Sequence, residues 1–331
     1  IRLDPGHGRE GIVDRRRMRR KLTFWRVAAA LIAIVAVVAV GVYGTPSGRK
    51  LTGVTAIERV KIEGLIRSDQ DRVEALDRLA KSSAPAVIVH INSPGGTTSG
   101  SEQLYDSLMR LKAKKPLVVV VDGLCASGGY IAALASDHIV AQQTALVGSI
   151  GVLFQFPNFT ELLKTVGVQV ESVKSSPLKA APNGYEPTSP EARAALDALV
   201  KDSYAWFKGL VQKRRSMDDA QLAKVSDGRV FTGRQAVDLK LIDQLGDEKA
   251  AIAWLVAEKK VKPNLPVHDF KMSPRFGDLT FLRTAAAVTL DALGLSNVAR
   301  QVEQAGVVRA VDRLGLDGML ALWEPAVSNE G

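Results

Sequence analysis

The sequence has few of the residues that build cross-linked or metal-centred proteins. Its 331 residues include one cysteine and four scattered histidines. One cysteine excludes a disulfide framework and a structural zinc site made of thiolates, and four separated histidines leave little for a multi-histidine metal centre. Glycine and proline, 28 and 14 residues, are close to average usage, which excludes a collagen-like or low-complexity chain. We therefore expect a protein that uses no metal and no cofactor.

The positive charge of the chain is concentrated at one end. The formal net charge is +9, and residues 1–26 account for +6 of it, with nine Lys or Arg and three Asp or Glu. A nucleic-acid-binding protein would spread its basic residues over a folded face. A short basic tail indicates a targeting signal instead, so we expect no nucleic-acid partner.

An uncharged apolar segment follows this tail directly. Residues 27–44 are eighteen positions without a charge, and as a helix they extend about 27 Å, close to the thickness of the hydrocarbon core of a bilayer. Trp25 and Tyr43 lie near its ends, where amphipathic rings favour the interface. A buried core helix and a cleavable signal peptide are the alternatives. The segment is longer than a signal-peptide core and Val40–Gly44 matches an Ala-x-Ala cleavage site poorly, so the sequence favours a transmembrane anchor.

The positive-inside rule gives this anchor an orientation. Because basic flanks stay in the cytoplasm, residues 1–26 are expected to form a cytoplasmic tail and residues 45–52 a linker to a body on the other side of the membrane. In a bacterium, this predicts a single-pass protein of the inner (cytoplasmic) membrane with a periplasmic or extracellular body.

The body has the pattern of a parallel α/β domain. Two continuous apolar runs, residues 86–91 and 117–121, flank a segment over 101–111 whose leucines have helical spacing. Strand, helix and strand at this spacing predict a parallel βαβ unit with strands buried on both faces. We place the α/β domain at residues 53–272 and a C-terminal helical tail at residues 273–331. Further predicted elements are a strand pair over 54–66, a strand over 168–173, a long helix opened by a capping box at 188–191, and a last helix over 298–322.

Three glycine-containing loops follow predicted strands, at the sheet edge where ligands and catalytic groups are expected. They span residues 92–96, 122–130 and 147–151. Ser127 stands where a strand turns into an apolar helix, and it is the candidate nucleophile, with the N–H groups of Gly96 and Gly128 as an oxyanion hole. Serines at such places often only cap their helix, and this residue taken alone favours the cap. We interpret the neighbouring Cys125 as a small buried residue under the turn rather than as the nucleophile.

A nucleophilic serine needs a base, and the histidines are poorly placed. His90 lies inside a predicted strand, His138 ends a predicted helix, His7 precedes the membrane segment and His268 is far along the chain. The pattern around Ser127 also differs from the Gly-x-Ser-x-Gly of α/β-hydrolases. A lysine kept neutral by burial and a hydroxyl partner is the other option. Lys174 and Lys179 both follow a predicted strand, and the residues alone do not distinguish them.

The motifs occur in a recognisable order. They are Asn-Ser-Pro-Gly-Gly at 92–96, Ala-Ser-Gly-Gly-Tyr at 126–130, Gly-Ser-Ile-Gly-Val at 148–152, Lys-Ser-x-x-x-Lys at 174–179, and the segments 228–236 and 241–246. In this order, the chain resembles the signal peptide peptidase A family, also called protease IV, over about residues 53–260. With one such domain, it resembles the short form of that family.

The resemblance implies a Clp-protease/crotonase-like fold of repeated ββα units and a serine peptidase with a Ser–Lys dyad. By their positions in the motifs, it implies the following roles: Ser127 as nucleophile, Lys179 as general base, Ser149 as the serine that orients the lysine, Gly96 and Gly128 as oxyanion-hole amides, and Lys174 as a structural residue. It also implies a homo-oligomeric ring in which the serine of one subunit lies near the lysine of the next.

These expectations combine into one functional hypothesis with two alternatives. The hypothesis is a membrane-anchored serine endopeptidase that cleaves signal-peptide remnants and other extended apolar peptides through an acyl-enzyme. One alternative is a non-catalytic membrane scaffold of the same fold. The other is a crotonase-like acyl-CoA enzyme, which leaves the anchor unexplained because CoA thioesters are cytosolic.

Overall fold

A computed structural model describes residues 55–272, together with the backbone of residues 320–322. The predicted cytoplasmic tail, the anchor over 27–44, the linker and most of the C-terminal tail lie outside the described residues. Within residues 55–272, no helix is both long and apolar enough to cross a bilayer.

The described residues form strands and helices in mixed order. The strands are β1 (Ile57–Glu63), β2 (Val87–Ser93), β3 (Gly95–Thr97), β4 (Leu117–Ala126), β5 (His138–Ala141), β6 (Leu146–Gly148), β7 (Val230–Thr232), β8 (Gln244–Leu245), β9 (Val267–Asp269) and β10 (Leu320–Leu322). The helices are α1 (Gln70–Ala80), α2 (Thr98–Lys112), α3 (Gly128–Ala133), α4 (Thr160–Thr165), α5 (Pro190–Arg215), α6 (Asp219–Val225), α7 (Gly233–Asp238) and α8 (Glu248–Lys259).

One eight-stranded sheet organises the domain. Its main path runs β7-β6-β4-β2-β1-β9, while β5 pairs with β4 and with β8. All neighbours are parallel except β6 and β7. The first half of β4 pairs with β5, and its last residues, Leu124–Ala126, pair with β6 over Leu146–Gly148. The ends of β2, β4 and β6, and so all three glycine-containing loops, therefore meet at one edge of the sheet.

The core lies on both faces of this sheet, which confirms the mixed α/β prediction. In β2, Val87, Val89 and Ile91 contribute to a large apolar cluster with residues of α1, α2, α3 and α5. The intervening Ile88 belongs to a second cluster, with Ala251 and Leu255 of α8. Burial on both faces explains why the strands read as continuous apolar runs rather than alternating ones.

Several predicted local elements differ from the structure. The segment over 54–66 contains one strand rather than a pair, because the chain turns at Gly64 with φ at 69°. No strand forms over 168–173, where the side chains are exposed. His138 begins β5 instead of ending a helix, since it pairs with Val118 of β4. The long helix is capped by Ser189, whose hydroxyl accepts the N–H of Ala192 at 3.1 Å, one residue later than the predicted capping box.

The helix predicted to run through residue 322 is also wrong at its end. Leu320–Leu322 form β10, which pairs antiparallel with β3 in a separate two-stranded sheet. Pairing with the exposed edge of β3 satisfies the backbone of this short apolar segment without a helical turn.

Candidate active site

Ser127 lies between the end of β4 and the start of α3, with only 1% of its surface exposed. Its backbone has φ at 52° and ψ at −115°, a region that residues with a side chain seldom adopt. Although it occupies the N-cap position of α3, its side chain makes no capping hydrogen bond. The interpretation of Ser127 as a simple helix cap is therefore wrong.

Neighbouring backbone groups hold Ser127 in this conformation. Its N–H donates to the carbonyl of Gly148 at 2.7 Å, and its carbonyl accepts the N–H of Ile131 at 3.0 Å. The hydroxyl has a long contact, 3.5 Å, with the carbonyl oxygen of Gly151. Strained backbone that persists because its surroundings over-determine it is concentrated at functional sites.

Gly96 lies where no other residue fits. A Cβ at this position would be 1.8 Å from the carbonyl oxygen of Ile66. That carbonyl accepts the N–H of Thr97 at 2.9 Å, and the N–H of Ile66 donates to Gly95 at 2.8 Å. Successive peptide groups of a strand face opposite sides, so the N–H of Gly96 is turned away from Ile66, toward the side of β3 on which β10 pairs.

The loop that carries Gly96 and the helix that begins at Gly128 lie side by side. A Cβ at Gly129 would be 3.0 Å from the backbone oxygen of Ser93 at the end of β2, so the helix start rests directly on that strand. The Ser93 hydroxyl fixes the loop, because it donates to Gly64 at 2.7 Å and accepts the N–H of Gly95 at 3.1 Å. This arrangement brings the two predicted oxyanion-hole glycines onto neighbouring elements.

Ser149 lies at the adjacent strand end. It is buried, has a positive φ of 51°, and its N–H donates to the carbonyl of Arg229 at 2.9 Å. The preceding residue, Gly148, is the one whose carbonyl receives the N–H of Ser127. The structure thus brings Ser127, Gly128 and Ser149 to one place, next to the loop of Gly96.

The two candidate lysines have different surroundings. The Nζ of Lys174 is 2.6 Å from Oε2 of Glu186, and this hydrogen bond lowers the pKa of the Glu186 carboxyl. Lys179 is exposed, and within residues 55–272 its side chain makes no hydrogen bond or ion pair; its backbone N–H donates to Ser176 at 3.1 Å. Within residues 55–272, no hydrogen bond joins the Lys179 side chain to Ser127. Lys174 differs from Lys179 because its amine is bound to the carboxylate of Glu186.

Cys125 and His90 are unsuited to act as nucleophile or base in place of Ser127 and a lysine. Cys125 is fully buried in the core, and burial raises the pKa of its thiol, which confirms its interpretation as a buried residue under the turn. His90 has both ring nitrogens occupied, with Asp122 at 2.9 Å and Glu248 at 2.8 Å. Neither nitrogen of His90 is left to accept a proton from a serine.

The structure adds positioning groups that sequence reasoning missed. These are the carbonyls of Ile66, Gly148 and Gly151, which set the positions of Gly96 and Ser127. Backbone carbonyls have no signature in a sequence, and Ile66 is 30 residues from the glycine it restricts. Among residues 55–272, no group of three or more His, Cys, Asp or Glu side chains is placed to hold a metal ion.

Comparison with known proteins identifies the family of this chain. The family model for peptidase family S49 matches residues 109–262. A Synechocystis protein named as a protease is 35% identical over 210 residues, which cover 63% of this chain and 76% of that protein. An Enterococcus faecium protein named as a signal peptide peptidase, SppA, is 33% identical over 176 residues, covering 53% of this chain and 51% of the relative.

A solved structure is also similar. It is a ClpP1 mutant from Listeria monocytogenes, at 17% identity and a TM-score of 0.39, and the similar region covers 57% of this chain and 91% of that one.

Proposed function

The chain belongs to peptidase family S49, the signal peptide peptidase A family, and is a serine endopeptidase; from this premise we propose that it is a membrane-anchored Ser–Lys enzyme that cleaves extended apolar peptides, signal-peptide remnants among them. Ser127 is the nucleophile, Lys179 the general base, and Ser149 the residue that orients the lysine. The N–H groups of Gly96 and Gly128 form the oxyanion hole.

One observation carries the proposal. Ser127 has a strained backbone at the end of a buried strand, and its hydroxyl does not serve the helix that follows. A serine with a merely structural role has no need of such a strained conformation, whereas strain of this kind is concentrated at functional sites. The same observation disfavours a non-catalytic scaffold.

The chemistry proceeds in two acyl-transfer steps. The Ser127 oxygen attacks the scissile carbonyl while the Lys179 amine accepts the hydroxyl proton, and the amides of Gly96 and Gly128 donate hydrogen bonds to the developing oxyanion. The lysine then gives the proton to the leaving amine. Water repeats the sequence on the acyl-enzyme and releases the second product. No metal or nucleotide takes part in the proposed steps.

The position of Lys179 supports a site completed by a second subunit. A lysine acts as a base only where burial removes it from water, yet Lys179 is exposed on the single chain. The segment that carries it exposes large apolar side chains, which a neighbouring copy would cover. They are Leu153, Phe154, Phe159, Leu162, Val166, Val168, Val170, Val173 and Leu178. We therefore propose a ring in which the lysine of one subunit serves the serine of the next, on a Clp-protease/crotonase-like fold.

The proposed substrate is inferred from the edge of β3. The proposed location is inferred from the N-terminal sequence. We propose that an extended peptide binds along the side of β3 opposite Ile66, where β10 pairs with it in this structure and toward which the N–H of Gly96 is directed. Apolar peptides released beside a membrane suit an enzyme held there by residues 27–44. With the basic tail in the cytoplasm, this anchor puts the catalytic domain on the periplasmic or extracellular side of the inner membrane.

The test compares three alanine variants on a fluorogenic apolar peptide. We expect Ser127→Ala and Lys179→Ala to abolish hydrolysis with the fold intact by circular dichroism, and Lys174→Ala, the matched control, to remain active. An inactive Lys174→Ala with an active Lys179→Ala would overturn the assignment of the base. Mixing the Ser127→Ala and Lys179→Ala proteins should restore some activity, and no rescue in mixed oligomers would show that the dyad lies within one chain.

A further inference from the structure

The edge of the sheet opposite Ser127 carries an excess of lysine. Strands β1, β2, β4, β5, β8 and β9 are parallel, so the segments that lead into them lie at one edge and the segments that leave them lie at the other, with Ser127. Within residues 55–272 and up to the neighbouring helix or strand, the segments that lead in contain six Lys and two Asp, a formal charge of +4. The segments that leave contain one Arg, one Lys and two Asp, a formal charge of zero. We call the first set the amino edge; it comprises residues 55–56, 81–86, 113–116, 134–137, 239–243 and 260–266.

Side-chain contacts join these segments into one surface. The Nζ of Lys115 donates to the carbonyl of Ser82 at 2.7 Å, which links the segments before β4 and β2. The Asp137 carboxylate accepts the N–H of Leu117 at 2.9 Å and lies 3.4 Å from the Nζ of Lys259, the last residue of α8. The charges of the amino edge therefore act on the same patch of solvent.

The positive charge of the amino edge exceeds what its carboxylates neutralise. Asp137 also lies 3.5 Å from the Nζ of Lys112, so one carboxylate faces two amines. Burial and the neighbouring charges of Arg214 and Lys259 lower the pKa of the Lys112 amine, despite the nearness of Asp137. Within residues 55–272, four exposed lysines of the amino edge make no ion pair: Lys81, Lys114, Lys260 and Lys262.

Helix dipoles do not account for all of this charge. A lysine in the last turn of a helix interacts favourably with the carbonyl end of the dipole, and the effect falls off within that turn. Lys112 and Lys259 end α2 and α8, but Lys114 and Lys262 lie two and three residues beyond those ends. Unpaired positive charge on an exposed surface indicates an anionic partner.

The chain enters the domain at the amino edge. Strand β1 begins at Ile57, whose N–H donates to the carbonyl of Pro266 at 3.0 Å, and Thr55 before it is exposed. In the sequence, the proposed anchor over 27–44 and its linker over 45–52 come just before this point. A tethered bilayer presents its headgroups at a high effective concentration, so a modest attraction is enough for contact.

We propose that the amino edge binds the anionic phospholipid headgroups of the membrane that holds the anchor. This inference rests on the proposed function and adds a lipid partner to it. Ammonium groups attract phosphate as point charges, and salt screens exposed charges over about 8 Å at physiological ionic strength. The contact should therefore require anionic lipid and weaken as salt is added.

The test follows the full chain in vesicles of phosphatidylcholine, with or without phosphatidylglycerol. Because the single cysteine, Cys125, is buried, a cysteine introduced by Ala113→Cys on the amino edge can be labelled with a fluorophore in the folded protein. Quenching by a lipid with a nitroxide headgroup then reports contact of this edge with the bilayer surface. Ser68→Cys, at an exposed position in the segment that leaves β1, provides the control label at the opposite edge.

Charge reversal on the amino edge is the perturbation. Lys114→Glu/Lys262→Glu is the test variant, and Lys224→Glu/Lys249→Glu makes the same change in net charge outside the amino edge. Each lysine near an anionic surface strengthens binding about fivefold, so the test variant should weaken the contact about 25-fold. We expect phosphatidylglycerol to increase quenching at Ala113→Cys, and the test variant or high salt to return it to the phosphatidylcholine level. The control variant should keep the increase, and the Ser68→Cys label should show none.

The outcomes separate this inference from the proposals beneath it. Equal quenching at Ala113→Cys with and without phosphatidylglycerol would overturn the inference, and so would an increase that the test variant leaves unchanged. A labelled chain that responds to a DNA duplex but not to phosphatidylglycerol would assign the edge to a nucleic-acid partner instead. Release of the chain from both kinds of vesicle by high salt would refute the proposed anchor, and hydrolysis that survives Ser127→Ala would refute the proposed nucleophile.

Discussion

Gly96→Ala tests the geometry of the oxyanion hole. The added Cβ would be 1.8 Å from the carbonyl oxygen of Ile66, whereas carbon and oxygen atoms normally approach to about 3.3 Å, so β3 must move by about 1.5 Å. A misplacement of about 1 Å at a reacting centre can lower the rate about 100-fold, or about 2.7 kcal/mol of transition-state stabilisation. We therefore expect kcat/KM for a fluorogenic peptide to fall about 100-fold or more.

Gly123→Ala is the control for this experiment. It lies in β4, close to Ser127 in sequence, but a Cβ there would be 3.5 Å from the nearest atom, an ordinary contact with Asn92. It should retain activity within a few-fold. Thermal unfolding of both variants separates a misplaced loop from an unfolded domain. A folded Gly96→Ala enzyme with near-normal kcat/KM would refute the assignment of the Gly96 amide to the oxyanion hole.

Three further predictions concern the rest of the domain. Burial raises the pKa of the Cys125 thiol, so it should resist iodoacetamide at pH 8 in the folded protein and react after unfolding in urea; rapid native labelling would contradict its burial. Burial opposes ionisation of Glu248, but hydrogen bonds from Arg59 and His90 outweigh it and lower its pKa. Its charge therefore stabilises the fold above the unfolded pKa, about 4.3, and this contribution is lost as the pH falls through the lower folded value. Accordingly, Glu248→Gln should lower the Tm at pH 7 and match the parent in strong acid, and equal Tm values at pH 7 would contradict the contribution. Ser189→Ala should lower the free energy of unfolding in urea by about 1 kcal/mol, because α5 loses its cap. Thr188→Ala, one residue earlier, should lower it little, and equal effects would contradict the observed cap.

Much of the sheet could be predicted because its strands are buried on both faces. The apolar runs over 86–91 and 117–121 correspond to β2 and β4, and the helical spacing over 101–111 lies within α2. Residues 168–173 alternate in the same way as a strand, yet they form none, because a strand needs a partner and this segment pairs with no strand in the described part of the chain. Local patterns report propensity, while pairing depends on distant residues.

The candidate site was predictable to a similar extent. The three loops point to Ser127, Gly96 and Gly128 as candidates, because the ends of parallel strands lie at one edge, and the family resemblance adds Ser149. The strained backbone of Ser127, the carbonyl of Ile66 against Gly96, and the pairing of Glu186 with Lys174 depend on contacts between segments that spacing does not relate. The strand at 320–322 is more than 200 residues from its partner, so the apolar run alone predicts the end of a helix.

In the proposed mechanism, the Ser127 hydroxyl is activated by the Lys179 amine. The most direct measurement is covalent labelling of the whole chain with a serine-reactive fluorophosphonate, followed by mass-spectrometric mapping. We expect the label on Ser127, with labelling lost in Lys179→Ala and retained in Lys174→Ala. A label on another serine, or unchanged labelling of Ser127 in Lys179→Ala, would contradict the account.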